Sequence, residues 1–169
     1  KAIEKNENFI VEAEAENGAQ ALEMLAEELK KRRPDFEAAR AFARSYDRAA
    51  WEKEIHRAYG AAAGEVLEIE EKAKKNDVEN RLKRIDSMEK NWDTIVSQLN
   101  TLPSSSYLRE LLQDIGCPAT PADIKVDDAL LKDTFLYGKE VRPRYTIFQT
   151  VYDLGLMDEL SDKILSALK

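Results

Sequence analysis

Cysteine and histidine are almost missing from this sequence: Cys117 and His56 are the single representatives of each, and 61 positions separate them. One cysteine excludes an internal disulfide, and a reducing, cytoplasmic compartment fits best. One histidine leaves no room for the usual three-ligand zinc or iron site, which draws on histidines or cysteines at set spacing. Glycine occurs only six times, and neither G-x-G-x-x-G nor G-x-x-x-x-G-K-[ST] is present, so no phosphate-cradling loop can be read. Gly60-Ala61-Ala62-Ala63-Gly64 has neither a preceding strand nor a lysine and reads as a turn into a helix. No apolar run is long enough to span a membrane, and no secretory signal is visible. The chain opens on Lys1 instead of a methionine, which raises the expectation of a fragment or a processed protein.

Of the 169 residues, 43% are hydrophobic and 35% charged, with alanine, leucine, glutamate and lysine dominant. That balance favours a single helical domain with a real core over disorder. The 33 acidic and 26 basic residues leave a formal net charge of −7, a surface that repels phosphate backbones and anionic lipids. Neither a nucleic-acid nor a membrane partner is expected. Lys30-Lys31-Arg32-Arg33 is the local exception, and its place at a helix end suits the negative pole of a helix dipole.

Apolar spacing is helical throughout. Asn17, with Gln20 in the capping-box position, opens a helix carrying Leu22, Leu25 and Leu29 that Pro34 closes. Asp35 starts the next, with Phe36, Ala39, Phe42, Ala43 and Tyr46 on one side, and Trp51, Ile55 and Tyr59 continue a stripe towards Gly60. Val66, Leu67 and Ile69 mark a further helix that ends in Lys72 to Asn76. The clearest pattern runs from Asp77 to Leu99, where Val78, Leu82, Ile85, Trp92, Ile95 and Leu99 recur at three-, four- and seven-residue steps. At 1.5 Å per residue it would be roughly 35 Å long, and Leu102-Pro103 is expected to stop it. Ser104 to Ser106 then cap a short helix with Leu108, Leu111, Leu112 and Ile115, ended by Gly116. Thr120-Pro121 repeats the start signal, and Asp127 opens a helix through Leu130, Leu131 and Phe135. Pro143 interrupts the stretch that follows, and helices over 144–154 and 158–168 complete an all-α, multi-helix bundle.

The carboxylates fall mostly opposite the apolar stripes and read as solvated surface. His56 reads as a helix-face residue, Cys117 as a small packing residue, and the three serines as caps. Arg142 and Arg144 flank Pro143 beside Tyr145 and Thr146. Two guanidiniums held by a proline could bind a phosphate or carboxylate. They could equally cap helix ends or pair with Glu140 and Asp153.

From about Ala58 onward the chain resembles the C-terminal helical region of the bacterial sn-glycerol-1-phosphate dehydrogenases, relatives of the iron-containing alcohol dehydrogenases and 3-dehydroquinate synthase. The resemblance rests on E-V-L-E-I-E-E-K at Glu65 to Lys72, on Asn91-Trp92, and on L-L-Q-D-I-G-C-P-A-T-P at Leu111 to Pro121. Its most specific stretches are R-P-R-Y-T at Arg142 to Thr146 and D-L-G-L at Asp153 to Leu156. It thins before Asp35, so residues 1–34 are set apart from a helical domain over 35–169. What it implies is a two-domain parent: an N-terminal half that binds NAD(H) or NADP(H), and an all-helical C-terminal domain of the dehydroquinate synthase-like fold holding a divalent metal on an Asp/His/His set. The implied reaction is reversible reduction of dihydroxyacetone phosphate to sn-glycerol 1-phosphate, with the metal as Lewis acid. No catalytic, cofactor or metal residue transfers to this chain; Arg142, Arg144, Tyr145 and Thr146 carry over as a structural signature. The expectation is therefore a fragment or degenerate paralogue that is not catalytic alone and either associates with itself or joins a nucleotide-binding half. The competing expectation is a stand-alone helical interaction or scaffold domain.

Overall fold

The computed structural model describes residues 21–116 and 126–168, and among these every regular element is helical. The helix over 21–31 (α1) is followed by α2 (Phe36–Arg44), α3 (Arg48–Tyr59), α4 (Ala63–Ala73), α5 (Val78–Leu99), α6 (Ser105–Asp114), α7 (Asp128–Tyr137), α8 (Ile147–Asp153) and α9 (Met157–Leu168). Short 3-10 turns at Gly60–Ala62 and Gly138–Glu140 join α3 to α4 and extend α7. The Asn17 cap, Cys117 and the Thr120-Pro121 start lie outside the described residues.

Local chemistry explains most of the boundaries. Asp35, Asp47, Asp77, Ser104 and Asp127 each stand at an N-cap, and each side chain accepts a first-turn backbone N–H. Gly60 ends α3 at φ +55 and Gly116 follows α6 at φ +73, conformations that glycine adopts without steric cost.

The long helix ends at Leu99, as its spacing predicts, but bends at Asn91, whose φ and ψ of −114° and 15° leave the helical region while its amide donates to the Ser87 carbonyl at 2.8 Å. One helix start differs from expectation. The helix expected from Arg144 begins only at Ile147. Thr146 is extended (φ −126°, ψ 173°) as the N-cap, so 144–146 run as a strap between Pro143 and α8.

Two apolar clusters organise the packing. The larger gathers Leu25 and Leu29 of α1, Phe36, Ala39 and Ala43 of α2, Ile85, Met88 and Trp92 of α5, Leu131 and Phe135 of α7, Val151 of α8, and Leu160 and Ile164 of α9. Phe36 meets Trp92 edge-on at 5.8 Å, fixing α2 against α5. The smaller holds Trp51 and Ile55 of α3 with Ala63 and Val66 of α4. Between them lies a belt of buried charge.

Candidate functional site

The belt is assembled where α4, the α4–α5 corner, the start of α5, the Gly138–Glu140 turn and α8 converge. Its fully or nearly fully buried members are Glu70, Lys75, Asn76, Arg81, Lys139, Glu140, Gln149 and Asp153. Buried charge is tolerated only where partners replace water, and here most of them do. Asp153 takes Arg81 Nε at 3.2 Å on Oδ1 and Arg84 Nε at 2.6 Å on Oδ2, and Gln149 Nε2 adds a bond at 3.1 Å. The Arg81 guanidinium also lies over the rings of Tyr152 (4.4 Å) and Phe42 (5.0 Å), a favourable cation–π arrangement in a desolvated setting. Tyr152 receives a second cation, with Lys139 Nζ at 3.9 Å from its ring centre.

Glu140 is the other anchor. Its Oε1 accepts Lys139, the Asn76 side-chain amide at 2.9 Å and the Trp51 indole N–H at 3.3 Å, and Lys75 approaches Oε2 at 3.4 Å. Burial alone would raise its carboxyl, but Lys139 and Lys75 together hold it below the usual glutamate range. Trp51 belongs to the smaller apolar cluster and Tyr152 packs against the larger, so the belt stitches the two together.

The R-P-R-Y-T segment is fastened to this belt by its backbone. Lys75 Nζ donates to the carbonyls of Lys139 at 2.5 Å and Arg142 at 2.9 Å. Arg142 and Arg144 are exposed, and among the described residues neither joins an ion pair. Asp153 and Glu140, open as partners for them from sequence, are taken instead by Arg81 and Arg84 and by Lys75 and Lys139. Tyr145 lies over the Arg84 guanidinium at 5.3 Å and accepts from Thr150 at 3.1 Å. Its phenol is pushed up to about 12, by loss of solvent around it first and then by Asp153. Thr146 serves as the α8 N-cap without a side-chain cap bond.

His56 stands exposed on α3, away from the belt. Among the described residues no three His, Cys, Asp or Glu side chains converge as a metal site. The buried carboxylates Glu140 and Asp153 are already neutralised by lysines and arginines, a donor set that does not fit the divalent metal implied by resemblance. The groove between α1 and α9, at about 270 Å³, falls below the roughly 300–1,000 Å³ usual for ligand pockets. No described helix is long and apolar enough to cross a membrane.

Comparison with known proteins finds no matching family model and no matching solved structure. Two curated proteins share a stretch. Glycerol-1-phosphate dehydrogenase (NAD(P)+) of Methanoregula boonei is 34% identical over 62 residues, 36% of this chain and 16% of that protein. The protein of the same name in Methanocorpusculum labreanum is 39% identical over 56 residues, 32% of this chain and 16% of its own length. The likeness is partial. The chain spans about a sixth of the length of the curated relatives it matches.

Sequence reading singled out the strap at Arg142 to Thr146 and named Glu140 and Asp153 beside it, but missed the cations that hold those two carboxylates, Lys75, Arg81, Arg84 and Lys139. Arg81 sits on the same face of α5 as Ile85, Met88 and Trp92, and an arginine among core positions is the signal that marks a buried partner elsewhere.

Proposed function

We propose that this chain is a helical part of an oxidoreductase similar to glycerol-1-phosphate dehydrogenase, equivalent to the C-terminal region in the bacterial branch, and that it is not catalytic alone. It is either a fragment or a degenerate paralogue of such an enzyme. The observation that carries this reading is the shared stretch of about sixty residues with two dehydrogenases of that name. In such an enzyme NAD(P) would be held by the nucleotide-binding half, and the divalent metal by residues outside the described part of this chain, since the buried carboxylates Glu140 and Asp153 are committed to internal ion pairs. The role left to this chain is to present a rigid helical wall, with the strap at 141–146 clamped in place by Lys75 and Arg84. Its partner would be a nucleotide-binding half or a second copy, in the cytoplasm.

The test is turnover. The purified chain, supplied with dihydroxyacetone phosphate, NADH or NADPH and zinc, nickel or iron(II), is expected to oxidise no cofactor. Saturable cofactor oxidation proportional to chain concentration would overturn the proposal.

One observation favours a second reading, a stand-alone interaction domain. Leu102, Tyr107, Leu111 and Ile115 are exposed at and around α6, which contributes no buried residue, and apolar exposure of that kind suits protein contact. A chain that runs as a monomer in size-exclusion chromatography at high concentration, and binds no nucleotide-binding half, would count against both forms of association.

A further inference from the structure

Two exposed surfaces keep unused chemistry after internal pairing. The first is the outer side of α6. The half-buried residues of that helix, Ser105, Leu108, Arg109 and Leu112, fall on one side of it. There Ser105 bonds Glu27 of α1, and Arg109 reaches the Ala167 carbonyl of α9 at 3.5 Å. The other side faces solvent and carries two parallel rows. One is apolar: Tyr107, Leu111 and Ile115 follow at four-residue steps and are 55%, 43% and 65% exposed. The other is acidic: Glu110 and Asp114 are exposed and join no ion pair among the described residues. Rows at this spacing are the ridges by which helices pack on partners. The second surface is the strap. Its backbone serves the fold, through Lys75 on the Arg142 carbonyl. Its guanidiniums are left over: Arg142 and Arg144 are exposed and meet no carboxylate among the described residues. Tyr145 beside them is 49% exposed. Arginine and tyrosine are enriched where proteins bind one another, and Pro143 leaves this pair little conformational freedom to lose.

The two surfaces complement each other and not themselves. A second α6 laid on α6 would bring four carboxylates together, and strap on strap would bring four guanidiniums together. Strap on α6 avoids both. It sets two arginines, no more than about 7 Å apart along the backbone, against two carboxylates spaced about 5–6 Å on the helix. Tyr145 then meets the apolar row. Charge-assisted arginine–carboxylate pairs give such a contact its orientation. We propose that the strap of one copy docks on the outer side of α6 of a second copy. The contact is heterologous, so a pair of copies keeps one free α6 and one free strap, and association runs head to tail past the dimer. It develops the second-copy form of the proposed partner but does not depend on the dehydrogenase reading, which turnover tests separately.

The test is sedimentation equilibrium of the full chain from micromolar to millimolar, with two charge-reversed variants. One carries Arg142→Glu and Arg144→Glu, the other Glu110→Arg and Asp114→Arg. All four positions are exposed, so both variants are expected to keep the circular dichroism of the parent. The unaltered chain should rise in mass with concentration, beyond twice 19.3 kDa, and lose mass in molar salt, where the Debye length is about 3 Å. Each variant alone should associate about tenfold more weakly, and an equal mixture of the two should recover the parent's association. A monomer across the whole range would overturn the proposal. So would a dimer that survives reversal of the strap, since α6 would then be pairing with α6, or a mixture no more associated than its parts. If one variant does not fold, the other variant and the salt dependence of the unaltered chain decide.

Discussion

Asp153 accepts from Arg81, Arg84 and Gln149, and its removal exposes the energetics of single residues. Asp153→Ala strands Arg81, which has no exposed surface, and breaking a buried pair from one side costs about 3–5 kcal/mol. Urea denaturation should show that loss. Arg142→Ala and Arg144→Ala, at exposed positions that pair with no carboxylate among the described residues, should each stay within about 0.5 kcal/mol of the parent in the same measurement. That contrast separates a signature that acts through its backbone from one that acts through its charges. The two glutamates pull the pH profile in opposite senses. Glu140, held low, contributes stability that is present above the ordinary carboxylate range and lost as pH falls through its lowered value. Glu70, held high by burial, contributes stability that is present in acid and lost as pH rises through its raised value. Thermal melts should therefore peak between those two values, and Glu70→Gln should flatten the alkaline side only. Little of this was legible in the sequence. Glu70, Glu140 and Asp153 have the composition of surface carboxylates, and only the packing of distant helices takes them out of water.

Elements were far more legible, because their signals are local. Asp35, Asp77, Ser104 and Asp127 announce the starts of α2, α5, α6 and α7, and each accepts the expected N–H. Asp77 accepts two, from Glu79 at 3.0 Å and Asn80 at 3.2 Å. Asp77→Ala should cost about 1 kcal/mol, seen as a lower urea midpoint with an unchanged denaturant slope. Where an element departs from its pattern, the cause lies in contacts that no local spacing reports. The bend at Asn91 hides inside the seven-residue step from Ile85 to Trp92, since both side chains still reach the core. The late start of α8 follows from a strap whose Arg142 carbonyl is held by Lys75, sixty-seven residues earlier. Gly155 ends the same region at φ +71, and a β-carbon there would lie 3.1 Å from Phe42 Cγ. Gly155→Ala should thus cost more than about 1 kcal/mol, and a shifted Tyr152 or Phe42 signal in NMR would report the displaced ring.

For the molecule as a whole, composition and period were enough to read an all-α bundle, since a chain rich in alanine, leucine, glutamate and lysine with helical stripes has few other solutions. The arrangement of two apolar clusters joined by a charged belt was not readable, because the belt is drawn from residues 70 to 153. The central claim is that this chain works as a helical part of a dehydrogenase-like enzyme and leaves the chemistry to another half. The most direct measurement is the intact mass and peptide map of the protein isolated from its natural host. The account predicts a mass well above 19.3 kDa, with peptides from a nucleotide-binding half upstream of Lys1. A mass near 19.3 kDa, with no nucleotide-binding half co-purifying, would contradict it and leave a helical interaction domain in its place.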